Sequence, residues 1–476
     1  MPGALDDTIC AIATPPGEGG VGILRISGVR ALDLASHVVR LRSGKPLHAL
    51  RTHHLTLADL CANDLNGPAA GRRGLHGPSV IDEALVVFMK APHSYTGEDV
   101  VEIQCHGGPV ILDQLCRGLL AAGARLAAPG EFTQRAFLNG RLDLAQAEAV
   151  LDTIRAKTAR GLVLAQSQRR GELSRLVEEI RSQLVVALAH IEAALDFAEE
   201  DISFVRQDEL MRLLGDTLSK LQQLLRSAHD GRLWREGAAV AILGRPNVGK
   251  SSLMNAFLRS DRAIVTSIPG TTRDLLEESI SIDGIPVRLL DTAGIRTTDD
   301  TVEIEGIRRS RMAWAEADLA LILLDGSQPL SESDRDLLSQ PEAGRALLVI
   351  NKCDLPRQLS KDALDRAAPG HGDVFEISAT LQTGLDELRK AIRSRLSPGS
   401  FESNEGVVVT NLRHVSALER AAQSIDQARR SVDAGRAGEL IAVDLRIAAD
   451  ALGEITGVIT TDEILERIFS EFCIGK

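Results

Sequence analysis

The spacing of apolar residues divides the chain into segments of different secondary structure. Up to about residue 133, short β-type runs such as 21–26 and 84–88 alternate with glycine- and proline-rich turns. From residue 142 to about 228, apolar residues recur every three or four positions, as on the buried face of a helix. The pattern predicts an α+β region followed by long amphipathic helices.

A second change of pattern separates these helices from a later helical group, predicted at 413–434, 439–453 and 461–472. The intervening residues carry short, mostly apolar runs between helical stretches, as the buried strands of a parallel α/β sheet do. We therefore predict a multidomain fold with an α+β N-terminal domain (1–133), an α-helical domain (134–236 plus 397–476) and an inserted α/β domain (237–396). The strands predicted in the inserted domain are 238–243, 287–290, 319–324, 346–350 and 374–377.

Composition narrows the range of functions. The chain has 476 residues and a net charge of -12, and each predicted segment holds more acidic than basic residues, which disfavours non-specific coating of nucleic acid. No apolar run is long enough to predict a stable membrane association. The six cysteines are scattered, without a Cys-x-x-Cys pair, and the first residues are acidic, so we expect a reduced, cytoplasmic protein without a targeting segment. The glycine-rich stretch 59–82 predicts an irregular surface loop.

The strongest chemical signal is the sequence GRPNVGKS at 244–251, between a predicted strand and a predicted helix. This context is that of a P-loop, whose backbone N–H groups face phosphate oxygens. Lys250 is expected to reach the β- and γ-phosphates, and Ser251 to ligate Mg²⁺. The other predicted contacts in this segment are Asn247, Val248, Gly249 and Ser252.

Three further motifs follow in the order that a GTPase requires. DTAG at 291–294 ends a strand, NKCD at 351–354 follows another, and SAT at 378–380 follows a third, with a polar loop at 270–274 between the first two motifs. The Asp354 carboxylate can accept from both the ring N–H and the amine of guanine, so GTP is favoured over ATP. The predicted nucleotide contacts here are Thr266, Thr271, Thr272, Asp291, Gly294, Asn351, Lys352, Asp354, Ser378 and Ala379.

Beyond these motifs, the chain resembles the MnmE (TrmE) family of tRNA-modification GTPases almost from end to end. The resemblance lies in the blocks 14–28, 94–109 and 129–140, and in the C-terminal sequence FCIGK at 472–476. It implies a folate-binding, dimerising N-terminal domain. It also implies a flavin- and NADH-dependent partner of the MnmG (GidA) type, which forms a heterotetramer with the homodimer.

The resemblance further implies that the complex adds an aminomethyl-type group to carbon 5 of the wobble uridine (U34) of certain tRNAs. The one-carbon unit would come from a tetrahydrofolate, such as the 5,10-methylene or 5-formyl derivative, and FAD would belong to the partner. By position in the family blocks, Arg25, Lys90 and Arg135 are candidate folate ligands, and Cys473 is a candidate for the modification chemistry.

The resemblance also assigns ions and the attacking water. Mg²⁺ would be held by Ser251 and Thr272. Ile295 follows the DTAG motif where many GTPases have a water-orienting glutamine, so Glu303 is expected to position the water instead, with Lys250 as the other catalytic residue. K⁺ would be held by Asn247, Thr266, Ile268 and Thr271.

Three functions remain open from the sequence: a GTP-driven tRNA-modifying enzyme, a ribosome-assembly GTPase, and a folate enzyme that GTP only regulates. An assembly factor would be expected to carry a basic RNA-binding segment. A self-sufficient folate enzyme would be expected to carry its own redox or amine chemistry. Neither feature is evident in the sequence.

Overall fold

A computed structural model describes residues 7–61, 80–196, 207–260, 278–291, 314, 316–339, 345–369, 373–397 and 406–476, with the backbone alone at 196, 260, 278 and 291. The described residues form two compact units. The first comprises 7–151 and 456–476, and the second lies within 152–455. The three domain boundaries given above remain predictions.

A seven-stranded sheet forms most of the first unit, with the strand order β3-β4-β5-β6-β2-β1-β7. Neighbouring strands are antiparallel, except for the parallel pair β1 and β7. The strands are β1 (Ile9–Ile12), β2 (Gly19–Ser27), β3 (Val39–Leu41), β4 (Thr56–Cys61), β5 (Val80–Met89), β6 (Val100–Gly107) and β7 (Arg125–Leu126). A 3₁₀ turn (Leu47–Ala49) and the helices α1 (Ala31–Ala35), α2 (Pro109–Ala121) and α3 (Glu131–Leu138) complete this part.

Four helices follow in the chain: α4 (Leu144–Arg155), α5 (Ala159–Arg169), α6 (Glu172–Asp196) and α7 (Gln207–Glu236). Their buried residues follow the predicted helical period, as Val177, Ile180 and Leu184 do on α6. α7 ends two residues before the first strand of the second sheet. That strand therefore enters the sheet directly from a long helix.

The second sheet has six strands in the order β13-β12-β11-β8-β10-β9, and all neighbours are parallel except β9 and β10. Alternate residues of β11 pack on opposite faces, with Leu321 and Leu323 against one helical layer and Ile322 and Leu324 against the other. The strands are β8 (Ala238–Leu243), β9 (Glu278–Ile282), β10 (Ile285–Asp291), β11 (Leu319–Asp325), β12 (Ala346–Asn351) and β13 (Val374–Glu376). Their helices are α8 (Lys250–Ser260), α9 (Glu332–Ser339), α10 (Lys361–Ala367) and α11 (Leu385–Leu396).

Three helices close the chain: α12 (Leu412–Asp433), α13 (Gly438–Thr456) and α14 (Asp462–Ser470). α14 and the residues after it belong to the first unit, where Phe469 and Phe472 pack with Leu144. Beyond α14, the Gly130 N–H donates to the Cys473 carbonyl at 3.4 Å. The C-terminal residues are thus packed against the domain that begins the chain.

Glycine is required at position 475 of this tail. Gly475 has a φ of +96°, and a Cβ there would lie 2.6 Å from the carbonyl oxygen of Ile12. Such a contact is far inside the normal separation of two non-bonded atoms, and the backbone conformation disfavours any side chain. The tail therefore lies in direct contact with the backbone just past β1.

Most predicted elements are present, with small corrections. The loop predicted at 59–82 is shorter, because β4 continues to Cys61 and β5 begins at Val80; residues 62–79 lie outside the described ranges. α14 is capped by Thr461, whose hydroxyl accepts from the Ile464 N–H at 3.4 Å. Across the described residues, no helix is long and apolar enough to cross a membrane.

Candidate functional site

The predicted nucleotide motifs meet at one edge of the second sheet. GRPNVGKS follows β8, NKCD begins at the end of β12, and Ser378 and Ala379 follow β13. Because these strands are parallel, their carboxyl ends lie on the same side of the sheet, which is where open α/β sheets bind ligands. The order of the strands therefore brings together residues that lie more than 100 positions apart in the chain.

The P-loop has the backbone geometry that phosphate binding needs. Asn247 has a φ of +64° and Gly249 a φ of +101°, so the chain turns sharply before α8 begins at Lys250. A Cβ on Gly249 would lie 2.2 Å from the side-chain nitrogen of Asn351, so only glycine fits. The Lys250 ammonium donates to the carbonyls of Gly244 at 2.6 Å and Arg245 at 3.0 Å. The loop, the lysine and the N-terminus of α8 together form a cradle for an anion.

Asn351 connects three of the motifs. Its side-chain nitrogen donates to the Val248 carbonyl in the P-loop at 2.8 Å, and its side-chain oxygen accepts from the Ala379 N–H at 3.0 Å. Asn351 is 3% exposed, so these bonds are made away from water. Loss of either partner would leave a buried amide group unsatisfied, at a cost of about 1 to 3 kcal/mol.

Lys352 is fixed by a carboxylate that lies outside the sequence motifs. Its ammonium donates to Asp325 Oδ2 at 2.7 Å, and the Ser327 hydroxyl donates to Asp325 Oδ1 at 2.6 Å. Burial alone would raise the pKa of Asp325, but the hydrogen bonds from Lys352 and Ser327 hold that pKa below its ordinary value. Asp325 therefore stays ionised and holds the Lys352 side chain, while Asp354 is exposed at the same edge.

Ser251 and Ser252 are exposed in the first turn of α8, where a hydroxyl can reach a metal bound to phosphate. Asp291 ends β10, and only its backbone is described. The other predicted residues of the switch region lie outside the described ranges: Thr266, Ile268, Thr271, Thr272, Gly294 and Glu303.

A second polar site lies in the first unit around Arg25 on β2. Arg25 Nε donates to Glu102 on β6 at 2.8 Å, and its Nη1 donates to the Gly475 carbonyl at 3.3 Å. The guanidinium carbon also lies 5.6 Å from the ring centre of Tyr95 and 5.5 Å from that of Phe132. A largely buried arginine thus lies within cation–π distance of two aromatic rings.

The C-terminal tail brings further groups to Arg25. Burial and the nearby Arg25 charge hold the pKa of Lys476 below its ordinary value, although Glu102 and Cys473 oppose this shift. The Lys476 N–H donates to the Cys473 carbonyl at 3.3 Å, and the Cys473 side chain is exposed. Arg25, Glu102 and Lys476 therefore form a charged cluster, with a solvent-accessible thiol in the same short tail.

The structure places the other two folate candidates differently. Arg135 is 2% exposed and pairs with the carboxylates of Asp7, Glu98 and Glu131. Its charge is already balanced, and a ligand would have to displace these carboxylates. Lys90 is exposed directly after β5, where its N–H donates to the Thr52 hydroxyl at 3.1 Å.

Sequence reasoning missed Asp325, Glu102 and Lys476. Asp325 had a usable signal, because it ends an apolar strand as Asp291 and Asn351 do. Glu102 lies directly opposite Arg25 on the neighbouring strand, a pairing that depends on strand order and register. Lys476 is brought to Arg25 by the path of the chain after α14.

Two family models match consecutive segments of the chain. The model of the MnmE helical domain matches residues 144–473, and that of the GTP-binding protein TrmE N-terminus matches residues 8–141. Curated relatives named tRNA modification GTPase MnmE match along the full length. The relative from Heliobacterium modesticaldum is 46% identical over 99% of both chains, and that from Geobacter sulfurreducens is 45% identical over 99% of this chain and 100% of its own.

Solved structures match a smaller part of the chain than these relatives do. Era from Aquifex aeolicus, bound to GDP and AlF4⁻, is 27% identical over 39% of this chain and 66% of its own, with a TM-score of 0.27. The G domain of the FeoB iron transporter from T. maritima is 24% identical over 33% of this chain and 98% of its own, with a TM-score of 0.25. From the full-length matches and the two family models, the chain belongs to the MnmE family of tRNA modification GTPases.

Proposed function

We propose that the chain hydrolyses GTP at the carboxyl edge of the second sheet and uses this reaction in modifying carbon 5 of the wobble uridine (U34) of certain tRNAs. The observation that carries the nucleotide site is the Asn351 side chain, which joins the P-loop to the loop after β13. Phosphate recognition and guanine recognition thus share one buried contact. Asp354, exposed beside it, is suited to read the guanine edge.

The residues of the nucleotide site have distinct roles in this proposal. The P-loop amides and Lys250 hold the phosphates, and Ser251 at the start of α8 offers a hydroxyl to Mg²⁺. When bound, Mg²⁺ would neutralise charge on the phosphate oxygens. Asp325 holds the Lys352 ammonium by an ion pair at 2.7 Å. Glu303 is proposed to orient the attacking water, and Asn247 to bind K⁺ together with Thr266, Ile268 and Thr271.

The cluster around Arg25 supports the folate part of the proposal. A folate presents a planar ring system with hydrogen-bonding edges and a glutamate tail. Arg25, Glu102 and Lys476 offer donors and a carboxylate acceptor in a partly buried place, beside the Tyr95 and Phe132 rings. Cys473 is proposed to act on the one-carbon unit, from the tail that carries Lys476.

The remaining parts of the proposal concern partners and location. The chain would act as a homodimer with a flavoprotein of the MnmG type, which supplies FAD, and with tRNA as the substrate. These assignments rest on the resemblance of the whole chain to its family. The acidic balance of the chain, with a net charge of -12, favours recognition of tRNA by a local patch or through the partner. A cytoplasmic location agrees with these roles.

The tRNA product gives the first test. Cells that lack the chain should contain unmodified wobble uridine in the affected tRNAs, as measured by mass spectrometry of their nucleosides. The wild-type chain should restore the modification, and Lys250→Ala should not, because the phosphate contact is lost. Lys390→Ala, which changes an exposed lysine on α11, is the matched control and should restore it. If the deletion strain modifies its wobble uridine normally and assembles its ribosomal subunits abnormally, a role as a ribosome-assembly GTPase would be favoured instead.

Folate binding gives the second test. Titration of the full-length protein with 5-formyltetrahydrofolate should release a saturable heat in a calorimeter. Arg25→Gln should weaken binding about tenfold or more, because a charge-assisted contact is removed. Arg30→Gln is the control, since the Arg30 side chain is exposed and pairs with Asp33 at the surface, at 3.1 Å. A flat trace from folded wild-type protein would rule out the folate site.

Potassium gives the third test. The GTPase rate should be higher in K⁺ than in Na⁺ at equal ionic strength. Asn247→Gly should abolish this difference and keep nucleotide affinity, since glycine accepts the observed φ of +64°, keeps the loop backbone and removes the side-chain oxygen proposed to bind K⁺. Equal wild-type rates in the two salts would contradict the proposal.

Glu303 gives the fourth test. Glu303→Gln should lower GTP turnover by about 10² to 10⁴-fold, because water positioning or general-base help is lost, while GDP affinity stays the same. Glu305→Ala is the neighbouring control and should have little effect. Near-normal turnover of Glu303→Gln in single-turnover kinetics would assign the role to another residue.

A further inference from the structure

The Arg245 side chain leaves the P-loop and reaches the segment that follows β11. Its Nη2 donates to Gln328 Oε1 at 2.6 Å, and its Nε lies 3.6 Å from Asp334 Oδ2. Asp334 is 2% exposed, at the start of α9. A largely buried ion pair therefore joins the phosphate-binding loop to a helix that contributes none of the GTPase motifs.

Capping of α9 explains only part of the Asp334 contacts. Asp334 Oδ2 accepts from the Ser331 N–H at 3.0 Å and from its hydroxyl at 2.8 Å, and the Asp334 N–H donates to Ser331 Oγ at 3.2 Å. This is a reciprocal capping box. Among the described residues, however, neither Asp334 Oδ1 nor Arg245 Nε has a hydrogen-bond partner. A buried carboxylate with an unsatisfied oxygen is costly, and a neutral cap would avoid that cost.

The unsatisfied atoms belong to the same ion pair, which indicates that the charge of Asp334 serves Arg245. The backbone of Arg245 is part of the site, because its carbonyl accepts from the Lys250 ammonium at 3.0 Å. Asp325, which holds Lys352, begins the segment that reaches Asp334. The stretch 325–334 thus contacts the P-loop at one end and the guanine motif at the other.

We propose that Asp334 is a positioning residue for the P-loop. Its charge holds the Arg245 guanidinium, and this fixes the backbone at 244–247, where Lys250 and the loop amides meet the nucleotide phosphates. The proposal rests on the nucleotide site proposed above. It adds a residue outside the sequence motifs, and it assigns the Asp334 charge to phosphate affinity in addition to the helix cap.

Asp334→Asn separates the charge from the cap, because an asparagine oxygen can still accept from Ser331. The variant should bind GDP and GTP about tenfold more weakly, with kcat within about twofold of wild type, as expected when mainly ground-state binding is lost. The phosphorus-31 signal of the β-phosphate of bound GDP should also shift. Arg245→Ala should show the same loss of affinity, and the double variant should be no weaker than either single variant.

Ser331→Ala is the matched control, because it breaks the same cap without touching Arg245. It should lower the melting temperature and leave GDP affinity unchanged. Three results would each overturn the proposal. They are an equal loss of GDP affinity in Ser331→Ala, additive losses of affinity in the double variant, and unchanged GDP affinity and phosphorus signal in Asp334→Asn. Lys250→Ala distinguishes failure of the Asp334 proposal from failure of the proposed nucleotide site. Wild-type GDP affinity in Lys250→Ala would place the nucleotide elsewhere.

Discussion

The buried Asn351 amide is the interaction on which the nucleotide site depends. One side chain donates to the P-loop at Val248 and accepts from the loop after β13 at Ala379. Gly249 has no room for a side chain because this amide lies directly against it. The separation of the P-loop and the loop after β13, which we propose contact the phosphates and the base, is therefore set inside the protein by one planar group of fixed length.

Around this amide, two ion pairs hold the nucleotide-binding loops in position. Asp325 holds Lys352, and Arg245 reaches Asp334, so the two nucleotide-binding loops are both tied to the segment after β11. Backbone hydrogen bonds add to this, since the Gly326 N–H donates to the Asn351 carbonyl at 2.9 Å. These ion pairs and hydrogen bonds fix both loops at the carboxyl edge of the second sheet.

Local patterns predicted the second sheet well. Wholly apolar runs match β8, β11 and β12 to within one residue, because strands buried on both faces need apolar residues at every position. The runs for β10 and β13 contain Arg288 and Glu376, and they still match the observed strands to within two residues. The positions of GRPNVGKS after β8 and of NKCD at the end of β12 were also predicted, while their contacts with nucleotide stay a proposal. Asp325 was not singled out, because its role depends on the position of Lys352, directly after the neighbouring strand β12.

The first unit was harder to predict at the level of contacts. The Arg25 and Glu102 pairing follows from strand register, and the burial of Arg135 among three carboxylates follows from the packing of α3. Neither can be found from spacing along the chain. The approach of Gly475 to β1 is a contact of the same kind, between segments that local sequence patterns treat separately.

This last contact has a consequence for biosynthesis. Arg25 and the Gly475 carbonyl are 450 residues apart in the chain. At about 5 to 20 residues per second, the ribosome needs roughly 20 to 90 seconds to make the intervening chain. The N-terminal sheet is therefore synthesised long before the tail that packs against the end of β1, and the backbone around Ile12 lacks this contact during that interval. This contact can form only after residue 475 has been made.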